Sequence, residues 1–267
     1  MQPHKQTKLF SRTDNIYFDM FKYLKKHNAT IFKHIHILYS NILKFNYIPL
    51  TWKIGSTTLI PKNDPESINN WRPITLLNTL YKGFTLILNT HLQKILTNNN
   101  IIPNEQCGFN KNQDTSIAIS AYIETIKKSK STNIPLHVLY INFKAAFDSV
   151  QHWVIEKIFS HININNNIKQ TIVNLMNLSY TSIKTIDGPT KNIELKTGIK
   201  QGDPLSLTIF LLYLLPIQWS LIKTQPKNIN NFNHLWHDPH SPLKTNSKYI
   251  NLPSDSILCF HRHAIKH

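Results

Sequence analysis

Cysteine is almost missing from this sequence. Cys107 and Cys259 are far apart and form no Cys-x-x-Cys pair, which speaks against a disulfide framework or a zinc ribbon. Free thiols fit a reducing compartment, so the expected location is intracellular, cytoplasm or nucleus. Arginine is nearly as scarce, with only Arg12, Arg72 and Arg262. The formal net charge of +16, from 30 Lys and Arg against 14 Asp and Glu, is therefore carried by lysine. Such a charge favours a polyanionic partner, nucleic acid above all. Lysine holds phosphate as a point charge, without the fork geometry of arginine, so affinity is implied and specificity is not. A basic protein with no such partner is the plainer alternative. The heavy use of Asn and Ile, as in Asn163 to Asn167, has the look of AT-rich coding. Met1 to Thr13 lacks the apolar core of a signal peptide. One apolar run, Leu205 to Ile222, reaches the lower limit of membrane length. It holds Ser206, Thr208, Pro216, Gln218 and Ser220 and follows a polar loop, so a helix buried in a core explains it and no membrane contact is expected.

What is present suffices for a core, since 41% of the 267 residues are hydrophobic. Ile31, Ile35, Leu38, Tyr39, Ile42 and Leu43 recur at helical spacing. Thr57 to Ile60 is short and β-prone. Helical patterns run over Leu76 to Leu96, Ser116 to Lys128, Val150 to Phe159 and Ile168 to Tyr180. Leu136 to Phe143 reads as a buried strand. Ser182 to Ile186 and Asn192 to Leu195 flank Asp187-Gly188-Pro189 as a hairpin. No internal repeat is visible. The order implies an α+β fold, divided into a helical extension over 1–50, a main domain over 51–222 and an irregular tail over 223–267.

Four blocks carry chemistry. The first is Leu59-Ile60-Pro61-Lys62 with Asn70-Trp71-Arg72-Pro73-Ile74-Thr75-Leu76-Leu77 and Tyr81-Lys82. The second is Gln106-Cys107-Gly108-Phe109, followed by Asp114-Thr115. The third is Asn142-Phe143-Lys144-Ala145-Ala146-Phe147-Asp148-Ser149-Val150. The fourth is Gly198-Ile199-Lys200-Gln201-Gly202-Asp203-Pro204-Leu205-Ser206. In the last, glycine allows backbone to approach a ligand just before a helix start, and Gln and Asp add directional hydrogen bonds.

In order and rough spacing these blocks resemble the reverse transcriptases of retrotransposons lacking long terminal repeats, over roughly Ile42 to Ile222. The resemblance implies a right-hand polymerase fragment: helix-rich fingers and a partial antiparallel palm sheet, with the thumb absent and the chain truncated inside the palm. It implies RNA-templated DNA synthesis with Mg²⁺, on an RNA template and a DNA primer. Lys62 and Arg72 would then meet template and nucleotide phosphates. Phe147 would gate the sugar of the incoming nucleotide, beside Asp148. Gln201, Gly202 and Asp203 would lie against the nucleotide and template.

Two departures imply a pseudoenzyme. The family writes Asp-x-x-x-Ala-Phe-Asp-Ser-Val where this chain has Asn142, so an amide replaces the first catalytic carboxylate. Magnesium is held by carboxylates and substrate phosphates, and a neutral amide supplies no charge to offset it. Asp148 lies six residues on, too far along an extended strand to substitute. The second departure is the aromatic-x-Asp-Asp hairpin, since no two aspartates are adjacent in this sequence. The best register for its remnant is His234-Leu235-Trp236-His237-Asp238-Pro239, with Asp238 the lone acid. A weaker one is Ser254-Asp255-Ser256-Ile257-Leu258. A zinc site on His234, His237 and His240, or on Cys259, His261 and His263, competes with a histidine-rich low-complexity tail. Three readings stay open: an inactive reverse transcriptase domain, a non-catalytic module binding RNA or single strands, and a genomic relic.

Overall fold

The computed structural model describes residues 14, 16–27, 30–62, 66–67, 70–103, 106–109, 114–223 and 256–260. Their elements, in chain order, are α1 (Phe18–His27), α2 (Thr30–Phe45), α3 (Leu50–Lys53), β1 (Ile54–Pro61), β2 (Trp71–Leu76), α4 (Thr79–Asn98) and α5 (Thr115–Thr132). There follow β3 (His137–Ile141), α6 (His152–His161), α7 (Asn166–Met176), β4 (Ser179–Thr185), β5 (Gly188–Pro189), β6 (Ile193–Leu195), α8 (Pro204–Lys223) and β7 (Ser256–Phe260). The chain divides into two compact units, one of residues 1–94 and 147–209, the other of 95–146 and 210–267.

The first unit holds a five-stranded sheet in the order β2-β1-β4-β5, with β6 also on β4. β1 pairs antiparallel with β2, and β4 with β5 and β6. β1 and β4 run parallel from Ile54↔Tyr180 to Thr57↔Ile183, so the sheet is mixed where a partial antiparallel one was expected. Pro73 is tolerated in β2 because that strand is an edge. Thr57 ties β1 to both of its neighbours, β2 and β4, by side chain, its Oγ1 lying 2.9 Å from Thr75 Oγ1 and 2.5 Å from Thr181 Oγ1. Beside the sheet, Tyr39, Trp52, Tyr81 and Phe84 form an aromatic cluster with ring centroids 5.3–6.2 Å apart. Edge and tilted contacts of this kind fix ring orientation as well as burying area.

Two boundaries differ from the sequence reading, each for a local reason. The pattern starting at Leu76 is strand first, and α4 begins only at Thr79, where Asn78 Oδ1 caps the first turn by accepting from Leu80 N at 3.0 Å and Tyr81 N at 3.3 Å. The pattern over Ile168 to Tyr180 is cut at Met176, because Leu178 takes a left-handed conformation (φ 51°) and β4 follows. The hairpin forms with a longer first arm. Thr185↔Gly188 closes its tip, Gly188 sits at φ 113°, and Ile186 is 99% exposed there.

In the second unit, Asp114 caps α5 by accepting from Ser116 N at 2.7 Å, and Asn133 in the left-handed region ends it. The strand expected over Leu136 to Phe143 is shorter, spanning His137–Ile141. It leaves sheet geometry after Ile141, and residues 144–149 form turns, so Asp148 does not continue a strand. β3 pairs in parallel with β7, placing Leu139 opposite Leu258, so one strand does form within the 223–267 segment. The lone Asp238 and the histidine clusters lie outside the described residues. α8 is apolar on nearly every face, with Ile209, Leu212 and Leu215 at 2% exposure or less. No helix among the described residues is long and apolar enough to cross a membrane.

Candidate functional site

The first unit assembles its site from three pieces of chain. The antiparallel β1–β2 ladder sets Ile60 opposite Arg72. Just beyond its end, Lys62 N donates to Asn70 O at 2.7 Å. Lys62 is exposed there, and Arg72 is half-buried. The second piece is the turn at Phe147 and Asp148. The third is the loop from Gly198 to Asp203, which docks on both others.

Docking on the turn uses backbone. Gly198 N donates to Val150 O at 2.8 Å, and Ile199 N to Phe147 O at 2.9 Å. His152 Nε2 lies 2.7 Å from Gly198 O. Gly198 is at φ 87°, and a Cβ there would come within 3.0 Å of Asp148 Cα and 3.1 Å of its carbonyl oxygen. Docking on the sheet is equally tight: Gln201 O accepts from Thr75 N at 2.9 Å. Gly202, at φ 118°, lies so close that a Cβ would be 2.7 Å from Thr75 O. Only glycine meets both demands, a positive φ and backbone against backbone.

The loop faces two ways. Gln201 is half-buried and Gly202 exposed. Asp203 turns inward, 8% exposed, accepting from the Tyr81 hydroxyl at 2.5 Å and from Leu205 N at 3.1 Å. Sequence reading gave Asp203 a ligand contact; the structure spends its carboxylate on α4 and on the first turn of α8. Phe147, read as a sugar gate, is 5% exposed, so its ring lies within the protein. Asp148 is exposed and close enough to Lys62 to feel its charge.

Burial moves the proton affinities here. The Asp203 carboxyl is held above the ordinary carboxylate value by withdrawal from water, against the pull of its hydrogen bonds and of Lys200. Burial pushes Tyr81 well above the usual phenol value, and Asp203 adds to it. Burial lowers Lys200 to about 8, opposed by Asp203 and assisted by Lys53. The Lys200 ammonium donates to Lys53 O at 2.8 Å and lies 5.8 Å from the Tyr81 ring centroid. A cavity of about 30 Å³ opens beside Tyr81, Lys200, Asp203 and Ser206, room for a water or two.

Lys62, Arg72, Phe147, Asp148, Gln201, Gly202 and Asp203 thus belong to one unit, while Asn142 belongs to the other and is exposed just past β3. Tyr81 and Lys200 stand within two of the sequence blocks, which give neither residue a role of its own. A signal existed for the first: Tyr81, Thr85, Asn89 and Gln93 recur every four residues along one stripe of α4. Their partners include Asp203 for Tyr81 and Thr208 for Gln93 at 3.3 Å. Asn142 offers a neutral amide, Asp203 is committed internally, and among the described residues no three of His, Cys, Asp or Glu gather at one point.

Residues 60–237 match the family described as Reverse transcriptase (RNA-dependent DNA polymerase). The chain is similar to the Retrovirus-related Pol polyprotein from type-1 retrotransposable element R2 of Popillia japonica, 30% identical over 183 residues, 67% of this chain and 25% of that protein. It is also similar to two probable RNA-directed DNA polymerases of Drosophila melanogaster. The one from transposon BS is 27% identical over 45% of this chain and 13% of its own length. The one from transposon X-element is 27% identical over 52% and 14%. The chain spans a quarter or less of each of these relatives.

Proposed function

Since this chain belongs to the reverse transcriptase family, among relatives of the LINE-like retrotransposons, we propose that it forms fingers and palm that bind a primed RNA template without extending it. The observation that carries the binding half is the docking of Gly198–Asp203 against both Thr75 and the Phe147–Asp148 turn, which gathers Lys62, Asp148, Gln201 and Gly202. Lys62 and Arg72 would hold phosphates of template or nucleotide. Gly202 would let a ligand approach the backbone, and Gln201 would add a directional hydrogen bond. Magnesium would supply charge for nucleotidyl transfer in a competent relative. Here Asn142 stands where the first carboxylate belongs, and loss of a ligand from a site that works by charge and positioning costs orders of magnitude in rate.

A gel shift with a primed RNA template tests the binding. With two phosphate contacts, at Lys62 and Arg72, raising salt from about 50 to 200 mM should weaken affinity roughly seven- to twelvefold. Affinity that holds constant would exclude a phosphate-binding face. Incorporation of labelled deoxynucleotide should stay at background for the native protein and for Asn142→Asp alike, because one restored carboxylate leaves the paired aspartates still missing. Magnesium-dependent extension by either protein would refute the inactive half of the proposal.

A further inference from the structure

Tyr81 and Asp203 are 122 residues apart in sequence and meet in the interior at 3% and 8% exposure. The Asp203 carboxylate joins three elements. Oδ2 accepts from the Tyr81 hydroxyl on α4, and Oδ1 accepts from Leu205 N in the first turn of α8. The Thr85 hydroxyl, one turn along α4, bears on the same carboxylate. Its backbone closes the loop on itself, Asp203 N donating to Lys200 O at 3.3 Å and Ser206 N to Asp203 O at 3.1 Å. Tyr81 is itself held by the Trp52 ring, edge-on with centroids 6.2 Å apart. The two residues enclosed by this fastening, Gln201 and Gly202, are the ones left facing outward.

We propose that Tyr81 is a positioning residue: its hydroxyl holds Asp203, and through Asp203 holds Gln201 and Gly202 in the turn that meets template or nucleotide. This rests on the binding surface proposed above and deepens it, and it makes Asp203 an internal strut. The ring alone would fill the space between Trp52 and α8. The hydroxyl is needed because a buried carboxylate left short of donors is costly, and the loop would shift to find water. Thr75, whose backbone N–H and C=O both abut the loop, limits that shift to residues 200–203.

Tyr81→Phe removes the hydroxyl and keeps the ring. Hydrogen exchange over residues 198–206 should quicken roughly tenfold, with α5 and α6 unchanged. Affinity for a primed RNA template carrying a deoxynucleoside triphosphate should fall roughly fivefold. Asp203→Asn keeps an acceptor for Leu205 N and serves as the second variant. The double variant should lose less affinity than the two single losses combined, because both act through one bond. Unchanged exchange at 198–206 in Tyr81→Phe would overturn the proposal. So would quickening spread evenly over α6, which marks a general packing role. Lys62→Ala separates the two readings. If it and the native protein show no salt-dependent binding, the binding surface fails while the exchange result still judges Tyr81. If Lys62→Ala weakens binding and Tyr81→Phe leaves it at the native value, the positioning role alone fails.

Discussion

Gly202→Ala is expected to destabilise the protein by about 3 kcal/mol, read as a lower urea midpoint at unchanged slope. Two costs combine. At φ 118° the backbone lies where a Cβ is strained, a penalty of roughly 1–3 kcal/mol. The added carbon would also stand 2.7 Å from Thr75 O, inside van der Waals contact with backbone that cannot rotate away. Nor can the loop retreat at no cost, since Thr75 N donates to Gln201 O and would lose that partner. Gly188 provides the control. It has a similar φ of 113° with nothing within 4 Å of its would-be Cβ. Gly188→Ala should therefore show the backbone penalty alone, about 1 kcal/mol. Equal losses at the two positions would mean that the contact with Thr75 carries no weight. Against a typical total of about 5–15 kcal/mol, the larger loss puts the fold near its threshold.

The contrast between these glycines also marks what sequence could and could not convey. Helical periodicity located α2, α5 and α6 within a few residues, and an unbroken apolar run located α8, because both are local properties of the chain. The start of α4 lies three residues after its apolar pattern begins, because Leu76 pairs with Ser56 in β1 and Asn78 Oδ1 caps the first helical turn, with Asp14, 65 positions away, taking the Thr79 N–H. The parallel pairing of β1 with β4 joins residues more than 120 apart and leaves no trace in either strand's own pattern. At the site, the glycine loop announced itself by composition. Its orientation did not, because whether Asp203 faces a ligand or the core depends on Tyr81 and Thr85 across the unit. Lys200 was invisible for the same reason. A lysine beside Gln-Gly reads as solvated until the structure puts it at 8% exposure.

That buried lysine gives the second large effect. Between pH 7 and 9.5 the native protein should gain about 2 kcal/mol of stability from Lys200 alone, its pKa being lowered from 10.5 to about 8 in the folded state. The sign follows from proton counts. Above pH 8 the folded protein has released the Lys200 proton while the unfolded chain still holds it, so rising pH favours the folded form until about 10.5. Asp203, Lys53 and Tyr81 face this ammonium, and only Asp203 draws its pKa upward. Above pH 10 the trend reverses, because burial pushes Tyr39 up to about 12 and Tyr81 higher than usual, so unfolding is favoured by their ionisation. Lys200→Met removes the titrating group, and its stability should be nearly flat from pH 7 to 9.5. A small residual rise remains from Lys53, lowered by partial burial, and from relief of the overall positive charge, which both proteins share. Urea midpoints at half-unit pH steps, native minus variant, isolate the Lys200 contribution from those shared effects. A difference that stays constant across the series would mean that Lys200 titrates as an exposed lysine, and that the interior beside Tyr81 and Asp203 is wet.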